Sequence, residues 1–221
     1  MNNKIVFGSL WVAFVSYAFL FAPPDQPNNL ELIISLSTGK WTGINPLVVA
    51  LFNLMGILPM IYAALMLIDG KTQKLRAGLF SAGSFAVGAF AILPYLALRE
   101  SNSRPIGERN GMIKLVDSRW LGVLLSIGAV TLLGYGITQG DWADFVQQWQ
   151  TSRFIHVMSL DFCLLTLLLP ILINDDIGRR SFTEPQSVKM LSLIPLFGAL
   201  IYLCIRPSLP DATEISTPLP N

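Results

Sequence analysis

Apolar residues gather in six blocks, 5–22, 47–68, 78–98, 120–137, 154–173 and 190–205, separated by short polar stretches. Most of the blocks approach the roughly 20 residues that a membrane helix needs, and the last is the shortest. In hydrocarbon every backbone N–H and C=O must pair within its own segment, so each block predicts a helix. Two connections carry a narrower pattern. In 141–153, Trp142, Phe145, Val146 and Trp149 fall at i, i+3, i+4 and i+7, with Asp141 placed to cap the start and Arg153 at the favourable C-terminal end. Tryptophans beside an apolar block suit a helix lying in the membrane interface. In 28–37, Asn28 and Glu31 have capping-box spacing, and Leu30, Ile33 and Ile34 form a short apolar face. The pattern therefore predicts an all-α polytopic membrane protein. It has six transmembrane helices and two short interfacial amphipathic helices in one domain, 1–206, followed by a proline-rich, disordered polar tail, 207–221.

The blocks also suggest a repeat with halves 1–98 and 119–206. Each half reads span, amphipathic connection, span, short polar turn, span. Span two ends in LIDGK and span five in INDDIGR; Asn53 precedes Asp69 by 16 residues and Asp161 precedes Asp176 by 15. Three spans per half predict an inverted 3+3 pair, although any six-span chain divides into similar halves. Six crossings place Lys4, Lys71, Lys74, Arg76, Arg153 and Arg206 on the side of the termini and the other nine lysines and arginines opposite. That asymmetry favours non-cytoplasmic termini.

Composition narrows the class. The chain is 52% hydrophobic and 13% charged with a mean hydropathy of +0.56, against about 25% charged in soluble domains, so a soluble globule is excluded. A net charge of +1 gives no sign of nucleic-acid binding. Cys163 and Cys204 both fall in apolar blocks and make no disulfide framework. The first block is long for a signal peptide and lacks a small-x-small site before Pro23, so it reads as a retained span.

Three residues are binding candidates. Asp161 lies about eight residues into span five, too deep for a short side chain to reach the surface, and must face the bundle interior protonated or paired. Asn53, at matching depth in span two, is its expected partner, either as a proton or substrate site or as a polar clamp between helices. His156 is the only histidine. It lies one turn inside span five, some 140° around the helix from Asp161, and serves as a hydrogen-bonded interfacial residue or an axial ligand to chlorophyll or haem. Span three has small-xxx-small spacing at Ala82/Ala86 and Ser84/Gly88, which argues close helix packing. Pro59, Pro94, Pro170 and Pro195 can kink four spans. The acidic strings NDDIGRR and IDG lack the further carboxylates of metal–diphosphate sites. No phosphate loop or metal-spaced cluster is present, so no catalytic or metal residue is assigned. The polar stretch 99–119 reads as a solvated loop.

The strings APPDQP (22–27), FNLMGILPMIYAALMLIDG (52–70), LPYLALRE (93–100) and FIHVMSLDFCLLTLLLPILINDD (154–176) together resemble a family of integral membrane proteins of cyanobacteria and plastids. That family has no assigned activity, so the resemblance carries over no residue role. It implies a photosynthetic host and a thylakoid or bacterial plasma-membrane location. On these grounds the expected function is a non-enzymatic accessory or assembly factor of a larger membrane complex, with membrane lipid and photosystem or other complex subunits as partners. The alternatives are a small transporter or channel using Asn53 and Asp161, and a protein binding chlorophyll or carotenoid. No cofactor is required by the sequence.

Overall fold

The computed structural model of the protein describes residues 3–107, 109–180, 182 and 184–210, and among them every regular element is a helix. Four of these are long and apolar enough to cross a membrane: α1 (Asn3–Leu20), α3 (Pro46–Asp69), α7 (Arg119–Gln139) and α9 (Arg153–Gly178). Short helices α2 (Asn29–Ser37) and α8 (Trp142–Thr151) follow α1 and α7, as their amphipathic patterns predict. Asp141 caps α8 by accepting from the N–H groups of Ala143 and Asp144 at 2.9 and 3.1 Å. Arg153, expected to close α8, instead opens α9, and Asn28 makes no side-chain cap on α2.

Blocks three and six depart from expectation. Each divides into two limbs, α4 (Ala77–Val87) with α5 (Ala89–Leu98), and α10 (Pro185–Ser192) with α11 (Phe197–Ile205). The first break is Gly88, at φ +52° and ψ −126°, a conformation that glycine alone adopts without penalty. The chain then doubles back: a Cβ on Gly83 would lie 3.4 Å from that of Ala91, and the rings of Phe80 and Tyr95 are 5.6 Å apart. The second break is a γ-turn at Leu196, with φ +60° and a 2.7 Å bond from the Phe197 N–H to the Pro195 carbonyl. Limbs of 11 and 10 residues are about 15–17 Å long, half the ~30 Å of a hydrocarbon core. The expected six single-helix spans are thus four long helices and two helical hairpins.

Both hairpins return to the end from which they start. Arg99, just past α5, pairs with Asp69 at the end of α3; Arg206, just past α11, pairs with Asp176 near the end of α9. Arg179 also reaches Asp69, and Arg99 reaches Asp175, so α3 and α9 finish in one layer and run parallel. The halves therefore point the same way, and the expected inverted relation gives way to a direct repeat. Its register is a constant offset of 107 residues: Pro46 and Arg153 open the central helices, and Asp69, Tyr95 and Arg99 recur as Asp176, Tyr202 and Arg206. Packing follows the same rule, α1 along α5 and α7 along α11, with α3 against α9 at the centre.

The stretch 99–119 is not a solvated loop. It holds α6 (Gly111–Asp117) and buries Ile106, Ile113 and Val116. The start of the tail is also fastened down: Leu209 is buried, and its N–H donates to Asp117 at 3.2 Å. Positions 211–221, the rest of the expected disordered tail, lie outside the described residues.

Candidate functional site

Two polar assemblies sit side by side in the layer where α3 and α9 end. In the first, Asp69 accepts from Tyr95 Oη, from Arg99 Nε and Nη2 at 2.8 Å each, and from Arg179 Nη2 at 2.7 Å. In the second, Asp176 accepts from Tyr202 Oη at 2.7 Å and Arg180 Nε at 3.0 Å, with Arg206 Nη1 at 3.4 Å. Arg180 also pairs with Asp117 at 2.7 Å, and Arg206 donates to the Val116 carbonyl. Tyrosine and arginine follow their aspartate by 26 and 30 residues in both assemblies. Burial works against the Arg99 charge, but bonding to and attraction by Asp69, with Asp175 beside it, hold that guanidinium above the usual arginine value. For Arg206 burial outweighs the attraction of Asp176 and pulls the value below it. These charges are buried and mutually neutralising, which suits a clasp between each hairpin and its long helix rather than a catalytic centre. The aspartates of the strings IDG and NDDIGRR, Asp69, Asp175 and Asp176, are all taken up in ion pairs.

The halves differ at the opposite end. In the second half α7 lies along α3, where Gly136 meets Ala50 and Gly128 meets Ile57 closely enough that side chains there would crowd the contact. In the first half α1 packs along α5, and a cavity of about 680 Å³ remains between the end of α1, α2, α3, the hairpin tip and α9. Its walls carry five phenylalanines, Phe19, Phe52, Phe85, Phe90 and Phe154; Asp25, Asn29 and Arg153 line it where the helices α2 and α9 begin. Gly88 and Asp161 line its deep end. That volume is in the range of small-molecule sites.

Asp161 explains itself there. Its Oδ1 accepts the N–H of Ala89, the first residue of α5, at 2.8 Å, so the carboxylate caps the helix exposed by the Gly88 break. A Cβ on Gly88 would overlap this carboxylate. Oδ2 has no hydrogen-bond partner among the described residues, and Asp161 is one of the residues lining the cavity. Asn53 is not brought to it: its amide donates to the Val49 carbonyl of its own helix at 2.8 Å. In the 107-residue register the counterpart of Asp161 is Leu54.

His156 lies apart from both, at the junction of α1, α8 and α9. Its Nδ1 donates to the Trp149 carbonyl at 2.9 Å, which leaves Nε2 to accept from Tyr17 Oη at 2.8 Å. The Trp149 ring stacks on it with centroids 4.4 Å apart. With both nitrogens engaged, an axial bond to a pigment metal would require displacing the Tyr17 hydroxyl.

The residues that sequence reasoning missed are the clasp tyrosines and arginines. A signal was present: Leu93-x-Tyr95-Leu96-x-x-Arg99 recurs as Leu200-x-Tyr202-Leu203-x-x-Arg206. Comparison of the chain with protein-family models, curated proteins and solved structures finds no match.

Proposed function

We propose that this is an integral membrane protein that binds a membrane-dissolved amphiphile in the cavity between α1, α3 and α9. The four long helices cross the bilayer, and both hairpins dip in from the ion-pair end without crossing. The observation that carries the reading is the free Oδ2 of Asp161 at the deep end of an apolar cavity. A carboxylate in hydrocarbon that already caps a helix still has acceptor capacity for a ligand. Apolar walls suit an acyl or isoprenoid portion, and polar groups around Asn29 and Arg153 suit the headgroup level. The filled ion-pair layer beyond the hairpins makes this a one-sided site rather than a pore. The accessory-factor reading rests on the family resemblance, the near-absence of soluble segments and the small-residue faces, and has no comparable geometric support.

Orientation follows from the same architecture. Counting the hairpins as returns places all but Lys40 and Arg153 of the 15 lysines and arginines at the ion-pair end, where six crossings had divided them between both sides. The ion-pair end is then cytoplasmic, reversing the orientation drawn from six crossings. A reporter fused after residue 221 is expected to be active only in its cytoplasmic form; activity of an exported reporter would overturn this topology.

Cavity occupancy has a direct test. Gly56 lines the cavity, and a Cβ there meets nothing within 4 Å, so Gly56→Leu fills the space without crowding α3. Protein purified in mild detergent is expected to carry a lipophilic small molecule by mass spectrometry. In Gly56→Leu its recovery falls at least about tenfold, equivalent to about 1.4 kcal/mol, with an unchanged melting temperature. Equal recovery from both proteins would sink the cavity reading.

A further inference from the structure

We infer that the amphiphile bears a cationic head, an alkylammonium or quaternary ammonium group, seated against Asp161; this rests on the cavity reading above. The argument is a missing counter-charge. Asp69, Asp117 and Asp176, the other buried aspartates, each have an arginine nitrogen within 2.7–3.0 Å. Asp161 is 6% exposed and as deep, yet no lysine or arginine pairs with it among the described residues. The cation sharing its cavity, Arg153, lies two turns up α9, and its Nε donates to the Pro23 carbonyl at 3.0 Å. The N-terminus of α5, which offers the Ala89 N–H and roughly half a positive charge, compensates part of a charge on Asp161. The rest of that charge has no partner in an apolar setting, and a bound cation would supply it.

The walls point the same way. Five phenylalanines line the same cavity, and the negative faces of such rings attract a cation there. An anionic head would meet Asp161 directly and be repelled. A neutral alcohol could use Oδ2 as an acceptor but would leave the charge uncompensated.

Three probes of equal chain length test this on the full-length protein in neutral-lipid nanodiscs, read by native mass spectrometry: dodecyltrimethylammonium, dodecanol and dodecyl sulfate. The ammonium compound is expected to bind one per chain, at least about tenfold more tightly than dodecanol, with no binding of the sulfate. Gly56→Leu abolishes all binding, and Asp161→Asn, which keeps the cap acceptor, removes the preference for ammonium. If dodecanol or the sulfate matches the ammonium compound on the wild-type chain, the cationic head is wrong while the cavity reading stands. If no probe binds the wild type better than Gly56→Leu, the cavity reading itself fails. The ranking on the wild-type chain decides the matter even where a variant folds poorly.

Discussion

Replacing Asp176 by alanine is expected to destabilise the protein by about 3–5 kcal/mol, the cost of stranding buried charge. Asp176 is 1% exposed and receives Tyr202, Arg180 and Arg206 from three directions. Without it, Arg180 keeps Asp117 and the Pro207 carbonyl, and Arg206, whose Nε has no partner among the described residues, keeps only the Val116 carbonyl. Its neighbour Asp175 supplies the control. That carboxylate is 14% exposed, and its partner Arg99 retains two bonds to Asp69 when it is removed. Asp175→Ala is expected to cost about 1 kcal/mol or less, as for partly exposed pairs. Unfolding by SDS titration in mixed micelles measures both. Similar losses for the two variants would mean that the assembly around Asp176 does not hold the second hairpin.

Gly88→Ala is the second large effect. The positive φ costs about 1–3 kcal/mol for any residue with a Cβ. The added methyl also displaces the Asp161 carboxylate from the α5 N-terminus, removing a cap worth about 1 kcal/mol. Gly56→Ala makes the identical chemical change with the opposite expectation. Gly56 sits in helical backbone beside open space, where alanine is favoured by about 0.5–1 kcal/mol. Adding Asp161→Ala to Gly88→Ala relieves the overlap but not the torsion, so the double variant is expected to fall short of wild type. A Gly88→Ala protein as stable as wild type in the same titration would rule out the sharp turn between α4 and α5.

Much of this architecture was readable from the chain. The apolar blocks locate the helices because an unpaired backbone is intolerable in hydrocarbon, and α8 follows from the spacing of Trp142, Phe145, Val146 and Trp149. Asp161 stood out as a carboxylate too deep to reach the surface, and it is buried and caps α5. Its partner was misassigned because matching depth was taken for facing. In the 107-residue register Asn53 corresponds to Leu160, one position from Asp161 and about 100° around the helix, and its amide satisfies itself on Val49.

What the sequence determined by itself is the material of the fold: helices, their amphipathic neighbours, and a carboxylate in need of a partner. Whether a block of 21 apolar residues forms one long helix or a helical hairpin was decided by tertiary structure. The composition is the same either way; the difference is one torsion, at Gly88. That torsion is sustained by a carboxylate 72 residues from the helix it caps, in contact only after α9 has packed beside the hairpin. The direction of the repeat, the pairing of each arginine and the open cavity in one half follow from that packing, because each depends on which helix ends meet.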